Sequence, residues 1–202
     1  MTTNAIALIV GVAVAAGCGG DGKRVIPDGP ADDVVRAYAM TTSKGVITLE
    51  THHSWAPNGV DRFGDLVAAG FYNDARFFRV ISGFVAQFGI NGTPATNAMW
   101  SNRTISDDPV VRTNARGYVT FAQTSAPDSR TTQLFISLVD NTFLDDMGFA
   151  PFAVVTAGLE VVDQLDAEYG DAPDQNMIEA SGNAYLTARF PNLDYIISVA
   201  TP

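Results

Sequence analysis

Short β-type runs, each a handful of residues long and bounded by Gly, Pro, Asn or Asp, most narrow the folds open to this chain. The stretches 34–40 and 46–51 read as strands. Ser43-Lys44-Gly45 between them is a hairpin signal in which glycine supplies a positive φ. Two aromatic runs follow, Ala75 to Ile81 and Gly83 to Gly89, joined by a tight turn at Ser82-Gly83. Strand-like runs resume at 118–123, 132–139 and 152–157, and Asp194 to Ala200 reads as the closing strand. Ala56-Pro57-Asn58 opens a helix with Val60, Phe63, Leu66 and Val67 at helical spacing and Gly70 where a C-terminal glycine belongs. Glu160 to Leu165 reads as a second, short helix. About seven or eight short strands with two helices point to an antiparallel β-barrel or sandwich. Residues 90–116 are polar and rich in turn residues, so a long surface excursion is expected there.

A length of 202 residues fits one domain of ordinary size. With 47% apolar and 17% charged residues the chain is too hydrophobic and too weakly charged to be disordered throughout. Twelve Lys and Arg against 22 Asp and Glu give a net charge of −10, which phosphate backbones repel; a nucleic-acid partner is not expected. One cysteine excludes an intramolecular disulfide framework and a multi-cysteine zinc site.

That cysteine follows an apolar run from Ala5 to Gly17, and no charged residue precedes Asp21. Thirteen residues make a helix of about 20 Å, short of a hydrocarbon core of about 30 Å. The length fits the apolar region of a secretory signal peptide. Ala15-Ala16-Gly17-Cys18 resembles the lipobox of bacterial lipoproteins, although Val14 stands where Leu is usual and the leader has no Lys or Arg. The resemblance implies a signal peptide over 1–17, lipidation of Cys18 and an exported protein, periplasmic or at the cell surface, that meets the membrane only through its lipid. Residues 18–33, dense in Gly, Asp and Pro, then read as a flexible tether, and 34–202 as the folded domain.

The run Phe77-Phe78-Arg79-Val80-Ile81-Ser82-Gly83-Phe84-Val85-Ala86-Gln87-Phe88-Gly89 closely resembles the signature of the cyclophilins, the peptidyl-prolyl cis-trans isomerases. Gly117-Tyr118-Val119-Thr120-Phe121-Ala122-Gln123 with Thr131-Thr132-Gln133-Leu134-Phe135-Ile136 agrees. So do Phe143-Leu144-Asp145 with Gly148-Phe149-Ala150-Pro151-Phe152, and the helix segment 56–63. These matches run in family order over about residues 35–165. The resemblance implies a mainly β fold: a closed eight-stranded antiparallel barrel capped by two α-helices, with a hydrophobic groove on its outer face. It implies Arg79 as the catalytic arginine and Phe84, Phe135 and Leu144 as the proline pocket. Val85 stands where the family commonly has Met. Gln87 would hydrogen-bond Arg79 or the substrate, and Ala122, Gln123 and Gln133 would line the adjoining groove, Gln123 holding the place of an asparagine.

Three positions depart from the family pattern. Phe78 replaces a His before the arginine, and Phe149 is an apolar substitute for another. Phe143 stands where cyclosporin-binding members have Trp; without the indole N–H, weak cyclosporin affinity is expected. The implied partners are proline-containing polypeptides, with no cofactor and no metal, and the implied state is a monomer. Two other readings stay open: a module that binds proline segments without catalysis, and a lipocalin-like barrel holding a small molecule. His52-His53 point to opposite faces of a strand, so they do not readily share a metal, and they read as surface or structural residues. Asp32-Asp33, Asp107-Asp108 and Asp145-Asp146 read as turn residues and solvated charge.

Overall fold

The computed structural model describes residues 33–202. The expected signal peptide, Cys18 and nearly all of the tether lie outside the described residues. Eight strands make one antiparallel sheet: β1 (Val35–Thr42), β2 (Gly45–His52), β3 (Arg79–Val80), β4 (Val85–Phe88), β5 (Tyr118–Phe121), β6 (Leu134–Ser137), β7 (Pro151–Ala157) and β8 (Ile196–Ala200). Their spatial order is β3-β4-β6-β5-β7-β2-β1-β8. Just outside the two terminal strands, the Asp74 N–H donates to Ile196 O (2.8 Å) and the Phe77 N–H to Asp194 O (2.9 Å).

Period-two alternation divides the side chains between two faces. Ala86, Phe88, Leu134, Ile136, Val119 and Phe121 point into the main core, joined there by Phe63 and Leu66 of helix α1 (Pro57–Ala68). Gln87 and Phe135, between them in sequence, face the other way. Helix α1 begins at Ala56, which has no capping side chain. The cap comes instead from Asp108, whose carboxylate accepts the N–H groups of Asn58 (3.1 Å) and Gly59 (2.9 Å). Burial pushes this carboxyl up from its ordinary range while those two N–H groups oppose the shift. At its other end, the N–H groups of Gly70 and Phe71 return to Val67 O and Leu66 O, a Schellman closure at the expected glycine.

Several expectations need correction. Of the run Ala75 to Ile81 only Arg79–Val80 is a strand, because residues 74–77 turn aside to pair near β8. The region 90–116 contains a helix, α2 (Pro94–Trp100). The described residues hold four α-helices rather than two, the others being α3 (Leu159–Val162) and α4 (Gln175–Arg189). Helix α4 escapes a periodicity reading because it is kinked: Gly182 has φ 57° and ψ −144°, so Ile178 and Leu186 lie on different helical segments. One local signal does announce it. Asp174 caps its start, accepting from the Asn176 and Met177 N–H groups.

The acidic pairs also do more than fill turns. Asp108 caps α1, Asp107 pairs with Arg130, and Asp145 sits in a buried network described below. Asp33, at the end of the expected tether, accepts from the Ser54 N–H (2.8 Å) and meets His52 Nδ1 at 2.6 Å. His52 also stacks on Trp55 at 3.7 Å, whereas His53 lies 3.6 Å from Asp61.

Candidate active site

Register alone places four outward side chains in a row. Arg79 on β3 pairs with Gln87 on β4, Gln87 with Phe135 on β6, and Phe135 with Thr120 on β5. Residues directly opposite one another share a face, so the arginine and the aromatic ring stand on the same outer surface with the glutamine between them. The β3–β4 connection is a tight turn in which the Phe84 N–H donates to Ile81 O at 2.9 Å, with Gly83 at φ 72°. This turn returns Phe84 beneath the arginine: the guanidinium carbon lies 5.8 Å from the centre of the Phe84 ring.

Arg79 is held, not free. Its Nη1 donates to Gln87 Oε1 at 3.3 Å, and Gln87 Nε2 donates to Gln133 Oε1 at 2.8 Å. Gln87 is fully buried, so its amide has both ends satisfied in one orientation. Burial draws the Arg79 guanidinium below its ordinary pKa, and the nearby charge of Asp171 acts the other way. Arginine remains cationic at any physiological pH despite such a shift.

Beside this relay Val85, Ala122, Phe135, Leu144 and Phe149 form an apolar cluster separate from the main core, with Phe84 packed against it. Phe135 and Phe149 meet edge to face at 5.7 Å. Phe143 is 46% exposed and stacks on Phe84 at 6.0 Å, so it forms a rim, whereas Leu144 beside it is fully buried. The structure therefore gathers Arg79, Gln87 and Gln133 on one side and Phe84, Val85, Ala122, Phe135, Leu144 and Phe149 on the other. Gln123 stands at the far edge, donating to Met147 O at 2.9 Å.

A buried polar frame, not singled out in the sequence, holds that pocket's loops. Asn114 is fully buried; its Nδ2 donates to Asp145 Oδ1 (2.7 Å) and Phe149 O (2.8 Å), and its Oδ1 accepts from Thr120 (2.9 Å). Asp145 also accepts from the Thr113 hydroxyl at 2.6 Å. Asn141 Nδ2 donates to Phe84 O at 3.0 Å. In sequence, Asn and Asp in loops look like ordinary turn residues, and only burial reveals this use.

A cleft of about 390 Å³ continues from the site. One wall carries Ala122, Gln123 and Gln133; the other carries Asn97 of α2 and Asn176 and Glu179 of α4. Phe78 explains why α4 lies there. It packs with Ile90, Ile178, Leu186 and Leu193 in a third apolar cluster, so the residue before Arg79 is a docking point for the helix.

A cationic donor fixed beside an apolar pocket, on the outside of an eight-stranded antiparallel sheet, defines the class. The family model described as cyclophilin type peptidyl-prolyl cis-trans isomerase/CLD matches residues 37–181. The chain belongs to that family. It is 42% identical over 134 residues to peptidyl-prolyl cis-trans isomerase A of Dickeya dadantii, covering 62% of this chain and 68% of the relative. It is 36% identical over 168 residues to peptidyl-prolyl cis-trans isomerase B of Escherichia coli, covering 79% and 95%. Among solved structures, the cyclophilin type peptidyl-prolyl cis-trans isomerase of Cryptosporidium parvum aligns with a TM-score of 0.62 at 18% identity, over 84% of this chain and 98% of that one.

Proposed function

We propose that this peptidyl-prolyl cis-trans isomerase acts on X–Pro bonds of exported polypeptides and assists their folding, with Arg79 as its catalytic residue. The observation that carries the residue assignment is the Arg79–Gln87–Gln133 relay standing beside the Phe84, Val85, Phe135, Leu144 and Phe149 pocket. The reaction breaks no covalent bond. Partial double-bond character opposes rotation with a barrier of about 18–20 kcal/mol. As the amide twists, the prolyl nitrogen becomes pyramidal and regains a basic lone pair. A guanidinium fixed beside that nitrogen donates to the twisted amide more strongly than to the planar one, so binding energy is directed to the transition state. Arginine's fork can hold a carbonyl at the same time, which a lysine could not do.

The apolar cluster grips the proline ring while the preceding carbonyl swings. Gln87, committed to Arg79 and Gln133, positions the guanidinium. Because the hydrogen bonds between 74–77 and 194–196 join the outermost strands, we read the sheet as closed on itself. The N-terminal pattern supports export, with Cys18 lipid-anchored, residues 1–17 removed as a signal peptide, and the tether holding a monomeric domain away from the membrane.

Measuring cis/trans exchange of an Ala-Pro peptide by NMR, without a coupled protease, tests the reading. Arg79→Ala is expected to lose roughly 10²–10³-fold in turnover with its melting temperature little changed; unchanged turnover would remove Arg79 from the mechanism. Export is tested separately. Radiolabelled palmitate incorporated by the full chain should disappear in Cys18→Ser, and labelling that persists refutes the anchor.

A further inference from the structure

We propose that Glu179, assisted by Asn176, makes the cleft beside the proline pocket a receptor for a basic side chain, lysine or arginine, carried by the substrate near its proline. This deepens the isomerase reading and rests on it.

Glu179 is the single ionisable group among the residues lining the cleft; the rest are neutral, and no cation is among them. The Glu179 carboxylate makes no hydrogen bond or ion pair among the described residues. The nearby guanidinium groups are committed elsewhere: Arg79 to Gln87, and Arg130 to Asp107 and the Gly148 carbonyl. Glu179 keeps access to solvent at the mouth of the cleft, and partial burial there pushes its carboxyl above its ordinary range. An ammonium or guanidinium from a ligand would meet that lone carboxylate with opposite charge and charge-assisted hydrogen bonds. Lysine or arginine also suits the shape, because an aliphatic stem can lie along Ala122 and Ala98 while the charged head reaches Glu179. A glutamate in the same place would meet like charge, so the cleft discriminates by repulsion as well as attraction.

Geometry links the cleft to the reaction. Ala122 belongs to the apolar cluster of the proline pocket and also lines the cleft, and Gln133 joins the cleft to the Arg79 relay. An extended substrate advances about 3.3 Å per residue, so a cleft sharing this wall serves a side chain roughly one to three positions from the proline. The same C-terminal segment brings Asp171 close enough for its charge to act on Arg79.

A lysine scan tests the proposal. Ala-Pro peptides carrying Lys, Gln or Glu at each of the three positions on either side of the dipeptide are compared by NMR exchange for turnover and by chemical-shift titration for binding. In the wild type at low salt, Lys at one position is expected to exceed Gln about two- to fivefold in both readouts. The ratio should fall to about one in Glu179→Gln, be retained in Glu179→Asp, and shrink in 0.5 M salt (roughly a 4 Å Debye length). A Lys/Gln ratio near one at every position in the wild type, or one that Glu179→Gln leaves unaltered, overturns the proposal. Absent exchange on all peptides would instead defeat the isomerase reading, while the titration still reports whether Glu179 selects lysine.

Discussion

One wall of the substrate cleft comes from the ends of neighbouring strands, and the other from helix α2 and from α4, far along the chain. On the strand wall, backbone pairing sets Arg79, Gln87 and Phe135 side by side, and the side chains then fix one another through the Gln87 amide. On the helical wall nothing is set by register. Helix α4 is held by apolar packing onto Phe78 and Ile90 and by one very close backbone approach. The Asn183 N–H donates to Gly92 O at 2.9 Å, and a Cβ on Gly182 would collide with that same oxygen. Chemistry common to any X–Pro bond belongs on the wall that cannot shift. Features that tell one substrate from another belong on the wall whose residues can vary without disturbing a ladder of hydrogen bonds. On the proposed roles of Arg79 and Glu179, the two walls divide rate from selectivity.

The largest test of that division is Arg79→Ala. Losing the guanidinium should cost roughly 10²–10³-fold in turnover for lysine and glutamine peptides alike, so the ratio between them survives. A changed ratio would mean that the walls are not separable. Next is Gly182→Ala. The new methyl meets the Gly92 carbonyl, and the fold holds residue 182 in a backbone conformation that suits only glycine. A cost of about 2–3 kcal/mol is expected, a fall in melting temperature of roughly 5–10 °C. Because Arg79 and its pocket do not rest on Gly182, selectivity should suffer before turnover on the neutral peptide. Equal loss of both would show that α4 braces the strand wall through Phe78.

The smallest effect is expected at Asp33, remote from both walls. Burial pushes its carboxyl up, but hydrogen bonds from the Ser54 N–H and from His52 outweigh this and hold it below its ordinary range. A carboxylate with a depressed folded pKa adds stability above its unfolded value of about 3.9, and that contribution is lost as pH falls through the folded value. Thermal melts of Asp33→Asn should therefore lie slightly below wild type at pH 6–7 and converge with it near pH 2–3. A gap that stays constant over this range would exclude titration of Asp33 as its source. Cleft selectivity should not move in this variant.

How much could be read in advance differs between the two walls for the same reason. Turn residues and β-type runs made the hairpin β1–β2 and the turn at Gly83 legible without coordinates. The signature around Arg79 pointed to the pocket because its members lie on strands that pair directly. Helix α4 and the frame of Asn114, Asn141 and Asp145 were not legible. A kink breaks the helical period of α4, and a buried asparagine in a loop has the same local signature as an exposed one. Asp108 capping a helix that begins some fifty residues earlier is of the same kind.

Local propensity and patterning, which depend on near neighbours, were enough to determine that this chain is β-rich with short strands and tight turns, and the resemblance of its signature run pointed to Arg79, Phe84, Gln87 and Phe135. Only the tertiary structure decided what stands opposite them. Placing Phe78 beneath α4, and Glu179 across from Gln133, depends on groups about a hundred and about fifty residues apart in sequence but close in space. Burial and charge partnership belong to the assembled volume, not to any stretch of chain.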